Sequence, residues 1–177
     1  MAVRGIDHDN LPIKAIVHYA GGTDNAFWNG NTLMMYFLDP GRYGFQTAAA
    51  LDVIAHEFTH GVTQFTSDLV YANESGALNE AFSDIMGTAV EFFWQKPGSD
   101  FSLADYYMGE DMFTNYGYVL RNLINPNSGG DPCHLSQKKI LPNTSAGDWG
   151  GVHVNCTIYG HAFYLLAQGL NGAIGLN

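Results

Sequence analysis

Residues 46–65 read QTAAALDVIAHEFTHGVTQF, and their pattern decides the fold. Leu51, Ile54, Ala55, Phe58 and Val62 recur at helical spacing, which predicts a helix from Gln46 to about Phe65. Inside it, His56-Glu57-Phe58-Thr59-His60 forms an H-E-x-x-H motif. Residues four apart on a helix lie about 40° apart in azimuth and about 6 Å along the axis, so both imidazoles reach one metal ion. Glu57 projects beside them, where a general base next to a metal-activated water would stand. Two histidines at this spacing also arise by chance on an amphipathic helix, so context has to decide.

That context is a second predicted helix, Gly76 to Trp94. Its Leu78, Ala81, Phe82, Ile85, Met86, Ala89, Val90 and Phe93 form a wide apolar stripe that predicts deep burial. Glu80 and Asp84 lie four apart on one face of it. A tetrahedral catalytic metal needs a third protein ligand, and an unpaired buried carboxylate is costly. Ligation by Glu80, with an imidazole donating a hydrogen bond to Asp84, meets both demands. The plainer alternative places both acids on a solvated edge.

Upstream, Lys14–Tyr19 reads as a strand, Gly21-Gly22 as a turn and AFWNGNTLMMYFL (26–38) as a second strand-like run, a hairpin-like opening. Downstream, Lys96-Pro97-Gly98 ends the second helix. Residues 99–145, rich in Asp, Asn, Gly and Pro, read as irregular with short helices around Asp105 and Val119. Thr157–Gln168 is apolar nearly all round and predicts a third core helix. The expected fold class is α+β in one domain, 1–177, with a β-rich part (1–45) and a mainly helical part (46–177).

Seventeen acidic against seven basic residues give a formal charge of −10, which repels phosphate backbones and anionic lipid and argues against a nucleic-acid partner. The same carboxylate surplus suits hard divalent cations. No run of about 18 apolar residues predicts a membrane span. The start, MAVRGIDHDN, has no hydrophobic signal core, so export would require a precursor. Two cysteines, Cys133 and Cys156, fit either one disulfide or two thiols.

H-E-F-T-H (56–60), Y-A-N-E-S-G-A-L-N-E-A-F-S-D (71–84), N-A-F-W (25–28) and G-G-V-H-V-N (150–155) together resemble the thermolysin-like neutral zinc metalloproteases, of gluzincin type, with matching motifs from about Val17 to Ala167. The resemblance implies a zincin-like core and a secreted zinc endopeptidase acting on protein or peptide substrates. It implies that His56, His60 and Glu80 bind zinc, that Glu57 polarises the water, and that Asp84 orients a zinc ligand. Tyr71 and His153 would donate hydrogen bonds to the oxyanion, with Asp148 holding the ring of His153. Asn25 and Ala26 match the edge strand along which substrate lies, and Arg121 matches a guanidinium that binds a substrate carbonyl. Val53, Met108 and Leu120 are similar to an apolar pocket on the primed side, which implies cleavage before bulky aliphatic or aromatic residues. Asp52, Glu91, Asp100 and Glu110 fall at or near positions that hold calcium, with one ion expected in place of two.

The chain also departs from that family. It lacks most of the N-terminal β-rich lobe and nearly all of the C-terminal helical lobe, which leaves apolar surface that self-association would cover. The alternative reading is therefore a catalytically weak zinc-binding remnant or binding module. An aminopeptidase is disfavoured, because no G-A-M-E-N-like segment is present. Trp149 stands where a small polar residue is expected and Cys156 where serine is common. A Cys133–Cys156 bridge is the favoured cysteine state. His8, His18, His134 and His161 have no partner pattern and read as structural or surface residues.

Overall fold

The computed structural model describes residues 5–98, 103–113 and 118–169. Strand β1 (Ala15–Thr23) runs parallel to β3 (Met34–Asp39), and β2 (Ala26–Asn29) pairs antiparallel with β3, so the sheet order is β1-β3-β2. This corrects the hairpin expected about Gly21-Gly22. Those glycines continue β1, and the tight reversal falls inside the second run, between Asn29 and Met34. There the Asn29 side-chain Oδ1 accepts from the N–H groups of Asn31 and Thr32 (3.0 and 3.1 Å), the local bonding by which Asn closes a turn. All nine residues of β1 are exposed.

Helix α1 (Leu51–Gln64) follows a 3₁₀ turn at Thr47–Ala49, with extended Ala50 between them (φ −91°, ψ 122°). The apolar periodicity predicted one continuous helix there; the extended residue divides it. Val53 of α1 packs with Met35, Phe37, Ala50 and Met112 into a core under the sheet, with Trp28, Phe45, Ile54 and Phe58 around it.

Helix α2 (Asn73–Trp94) lies between α1 and α3 (Asp148–Gln168). Its buried face is not the apolar stripe the sequence suggested. Asn79, Glu80, Ser83, Asp84, Thr88 and Glu91 point inward with the small residues Gly76, Ala77, Ala81 and Gly87. Leu78, Phe82, Met86 and Phe93 face outward, Phe93 being 85% exposed. The inversion has a steric cause, since small residues let the helices approach closely. A Cβ on Gly87 would stand 2.7 Å from the Asp52 backbone oxygen of α1.

Helix α3 begins earlier than predicted and irregularly. Asp148, Trp149, Gly150 and Gly151 all have positive φ, and ordinary helical geometry starts at Val152. Val152, Asn155, Cys156, Thr157, Ile158 and Gly160 are buried, whereas Leu166 is 65% exposed, so only the first half of α3 is a core helix.

Among the described residues, neither Asp105 nor Val119, around which short helices were expected, lies in a helix. Asp105 Oδ1 accepts the Tyr107 N–H (2.7 Å), and β4 (Tyr107–Met108) then pairs antiparallel with β5 (Arg121–Asn122). A 3₁₀ turn at Glu110–Met112 follows β4. The expected disulfide is also absent. Both cysteines are free thiols: Cys133 Sγ bonds Asn127 Oδ1 (3.3 Å), and buried Cys156 donates to the His153 carbonyl (2.9 Å).

Candidate metal centre and cleft

Helix α1 sends His56 and His60 toward α2, and α2 answers with Glu80. Their facing atoms form a small triangle: His56 Nε2 to His60 Nε2 is 3.0 Å, His60 Nε2 to Glu80 Oε1 is 3.3 Å and His56 Nε2 to Glu80 Oε2 is 3.4 Å. Metal–ligand bonds of about 2.0–2.1 Å in tetrahedral array put donors about 3.3 Å apart, so the three residues fit a divalent zinc-sized ion. Glu80 Oε2 is fully buried without a hydrogen-bond partner, a costly state that ligation of a cation would relieve. Among the described residues this is one of two groups of His, Cys, Asp or Glu atoms close enough to hold a metal.

Neighbouring side chains orient each imidazole. His56 Nδ1 lies 2.9 Å from Asp84 Oδ1, and His60 Nδ1 lies 2.8 Å from Asn79 Oδ1 and 3.3 Å from Ser83 Oγ. Asp84 in turn receives two 2.6 Å hydrogen bonds from Nε and Nη2 of Arg121 on β5. Burial opposes protonation of His56, but the charges of Glu80 and Asp84 outweigh it and push its pKa up to about 10. A cation entering the site would displace that proton.

Glu57 is buried beside the triangle, and its Oε2 accepts the Trp28 backbone N–H of β2 (2.8 Å). Burial raises the Glu57 pKa, with His56 and His60 opposing. That is the direction that suits a carboxylate to gain and release protons near neutrality. On the other side, Tyr71 donates its hydroxyl to Glu80 Oε1 and lies 3.1 Å from His153 Nε2. His153 is fixed by Asp148 through both its backbone N–H (2.8 Å) and its Nδ1 (2.5 Å).

Two cavities meet at this centre, sharing His56, Glu57, Glu80, His153, Asn25 and Ala26. The larger, about 730 Å³, extends past Trp28, Val70, Tyr71 and Trp149. The smaller, about 290 Å³, gathers Val53, Met108 and Leu120, the three residues singled out by resemblance, with Arg121, Met112 and Phe45. Arg121 thus lines a cavity, although two of its donors are already committed to Asp84.

Elsewhere among the described residues, Glu91, Glu110 and Asp111 place carboxylate oxygens within 4.8 Å of one another. Glu91 is fully buried, and neither its oxygens nor those of Glu110 have a hydrogen-bond partner. Burial, then the charges of Asp52 and Glu110, push Glu91 up to about 10; burial, then Asp52, push Glu110 to about 8. The unpartnered oxygens of Glu91 and Glu110, with the Asp111 carboxylate beside them, make an oxygen-only donor group that fits a hard cation such as calcium. Asp52 is turned partly away, accepting from Val53 and Gly109 N–H groups. Asp100 lies outside the described residues.

Sequence reading missed Asn79, Asp111 and Met112. Asn79 directly precedes Glu80 and was readable as an imidazole partner; Met112 and Asp111 became visible only when the 3₁₀ turn curled back.

The sequence profile of the thermolysin metallopeptidase alpha-helical domain matches residues 67–176, and that of the catalytic domain of the same enzymes matches residues 1–64. The chain belongs to the thermolysin metallopeptidase family. It is 44% identical over 165 residues to bacillolysin of Bacillus caldolyticus and to thermolysin of Alicyclobacillus acidocaldarius, covering 92% of this chain and 28% of each relative. The bacillolysin of Bacillus cereus is 43% identical over 93% of this chain and 27% of its own length. Among solved structures, the precursor of protealysin, a metalloproteinase from Serratia proteamaculans, superposes with a TM-score of 0.77 at 34% identity, over 92% of this chain and 52% of that one. The chain therefore spans under a third of the curated thermolysin-family relatives it matches. No helix among the described residues is long and apolar enough to cross a membrane.

Proposed function

We propose that residues 1–177 form one catalytic core of a zinc endopeptidase acting outside the cell, with His56, His60 and Glu80 as the zinc ligands. The observation that carries this reading is the 3.0–3.4 Å donor triangle with Glu57 beside it. Zinc held there would acidify a water and polarise the scissile carbonyl. Glu57, anchored by Trp28, takes the water's proton and delivers it to the leaving amine. Tyr71 and His153 donate hydrogen bonds to the oxyanion, where donors aimed at developing charge lower the barrier most. An extended peptide lies along Asn25 and Ala26 and places a bulky apolar side chain in the cavity of Val53, Met108 and Leu120. Glu91 and Glu110, with Asp111 added and Asp52 beside them, hold one calcium ion, and Asp100, outside the described residues, stays a candidate ligand from the resemblance alone.

A second reading, a zinc-binding module without turnover, draws support from the outward apolar face of α2, which self-association would cover. One assay separates the two: an internally quenched peptide blocked at both ends, incubated with zinc-loaded protein. Steady cleavage, abolished by chelator and by Glu57→Gln, supports the endopeptidase. Absence of cleavage by fully zinc-loaded protein overturns it in favour of the module.

A further inference from the structure

We infer that Trp149 is a specificity-determining residue that receives an aromatic or large apolar substrate side chain on the side of the metal centre opposite the Val53–Met108–Leu120 cavity. The inference rests on the endopeptidase reading and adds a second recognition site to it. Four successive residues, Asp148 to Gly151, hold φ values of 53°, 49°, 90° and 80°. Glycine takes this region freely and aspartate tolerates it, but a tryptophan there costs roughly 1–2 kcal/mol. The turn is held from several directions: Trp149 N–H bonds the Thr144 carbonyl (2.8 Å), Gly150 N–H bonds the Pro142 carbonyl (3.0 Å) and His153 N–H bonds Asp148.

Burial of the indole does not offset that strain, because Trp149 stays 45% exposed. It lines the larger cavity and is absent from the smaller one, while His56, Glu57, Glu80 and His153 line both. A peptide crossing the centre with one side chain in the smaller cavity carries its other flank into the larger cavity, whose wall includes this indole. A strained, exposed aromatic next to a reacting centre is the arrangement in which backbone strain signals function, and a flat aromatic surface binds apolar and ring-bearing groups.

The test uses two blocked peptides with leucine after the scissile bond and either phenylalanine or alanine at the positions before it. With the zinc-loaded 177-residue chain, the phenylalanine peptide should be preferred in kcat/KM by about tenfold, chiefly through KM. Trp149→Asn and Trp149→Gly, both tolerant of positive φ, should erase that preference with Tm unchanged or raised, and Trp149→Phe should retain it. An unchanged preference in the Asn and Gly variants overturns the proposal, as does a drop in their Tm with the preference intact. The same peptides titrated calorimetrically into zinc-loaded Glu57→Gln protein decide the matter without turnover. Failure of all cleavage sinks the endopeptidase reading, while equal affinity for the two peptides sinks this one.

Discussion

Arg121 grips Asp84 with two 2.6 Å hydrogen bonds, and that pair backs the His56 imidazole from behind. Both side chains are largely buried, so removing one charge strands the other. Asp84→Asn should therefore lower stability by about 3–5 kcal/mol. It should also weaken zinc affinity by about 10–100-fold through the loosened His56. Thermal unfolding and chelator competition measure the two effects. Retention of full zinc affinity would show that His56 needs no such support.

Glu57→Gln should reduce kcat by at least about 10²-fold while leaving bound zinc at one equivalent. The amide oxygen of the substituted side chain can still accept the Trp28 N–H, so Tm should be nearly unchanged. Metal analysis and turnover on one preparation test both halves.

The Glu91–Glu110 pair sets a pH dependence whose sign can be worked out. Both carboxyls have folded pKa values raised from 4.5, to about 10 and about 8, so without a cation the folded chain holds more protons than the unfolded one. Stability of calcium-free protein should then fall as pH rises from about 4.5 through 8 toward 10. Calcium at a hundredfold excess over its Kd should restore about 2.7 kcal/mol, most visibly at high pH. Melting curves at pH 6 and pH 9, with calcium or with EGTA, check it; a calcium effect independent of pH would contradict the assignment.

Gly87→Ala should cost about 1–3 kcal/mol, because the new methyl meets the Asp52 carbonyl at 2.7 Å and helix backbone cannot step aside as a side chain can. Urea unfolding gives the number. An unchanged midpoint would mean that α1 and α2 separate freely.

The convergence of His56, His60 and Glu80 was legible because helical geometry makes i, i+4 spacing a spatial statement, and these residues and Asp84 all sit on regular helix. The sheet pairing was not legible. Alternation marks strands without naming their neighbours, and the turn chemistry at Asn29 outweighed the Gly21-Gly22 signal. The second helix was placed correctly but turned the wrong way, since periodicity locates an apolar face without saying what it meets. The bridge expected between Cys133 and Cys156 failed because each thiol had its own local acceptor.

Outward-facing Leu78, Phe82, Met86 and Phe93 bear on how the protein behaves in a tube. Excluded anions such as sulfate strengthen apolar association while screening the −10 charge that keeps copies apart. Precipitation should thus set in at lower ammonium sulfate than for an equally acidic protein with a polar exterior. Aspartate or lysine substituted along that outer row should raise the salting-out point without touching the cleft.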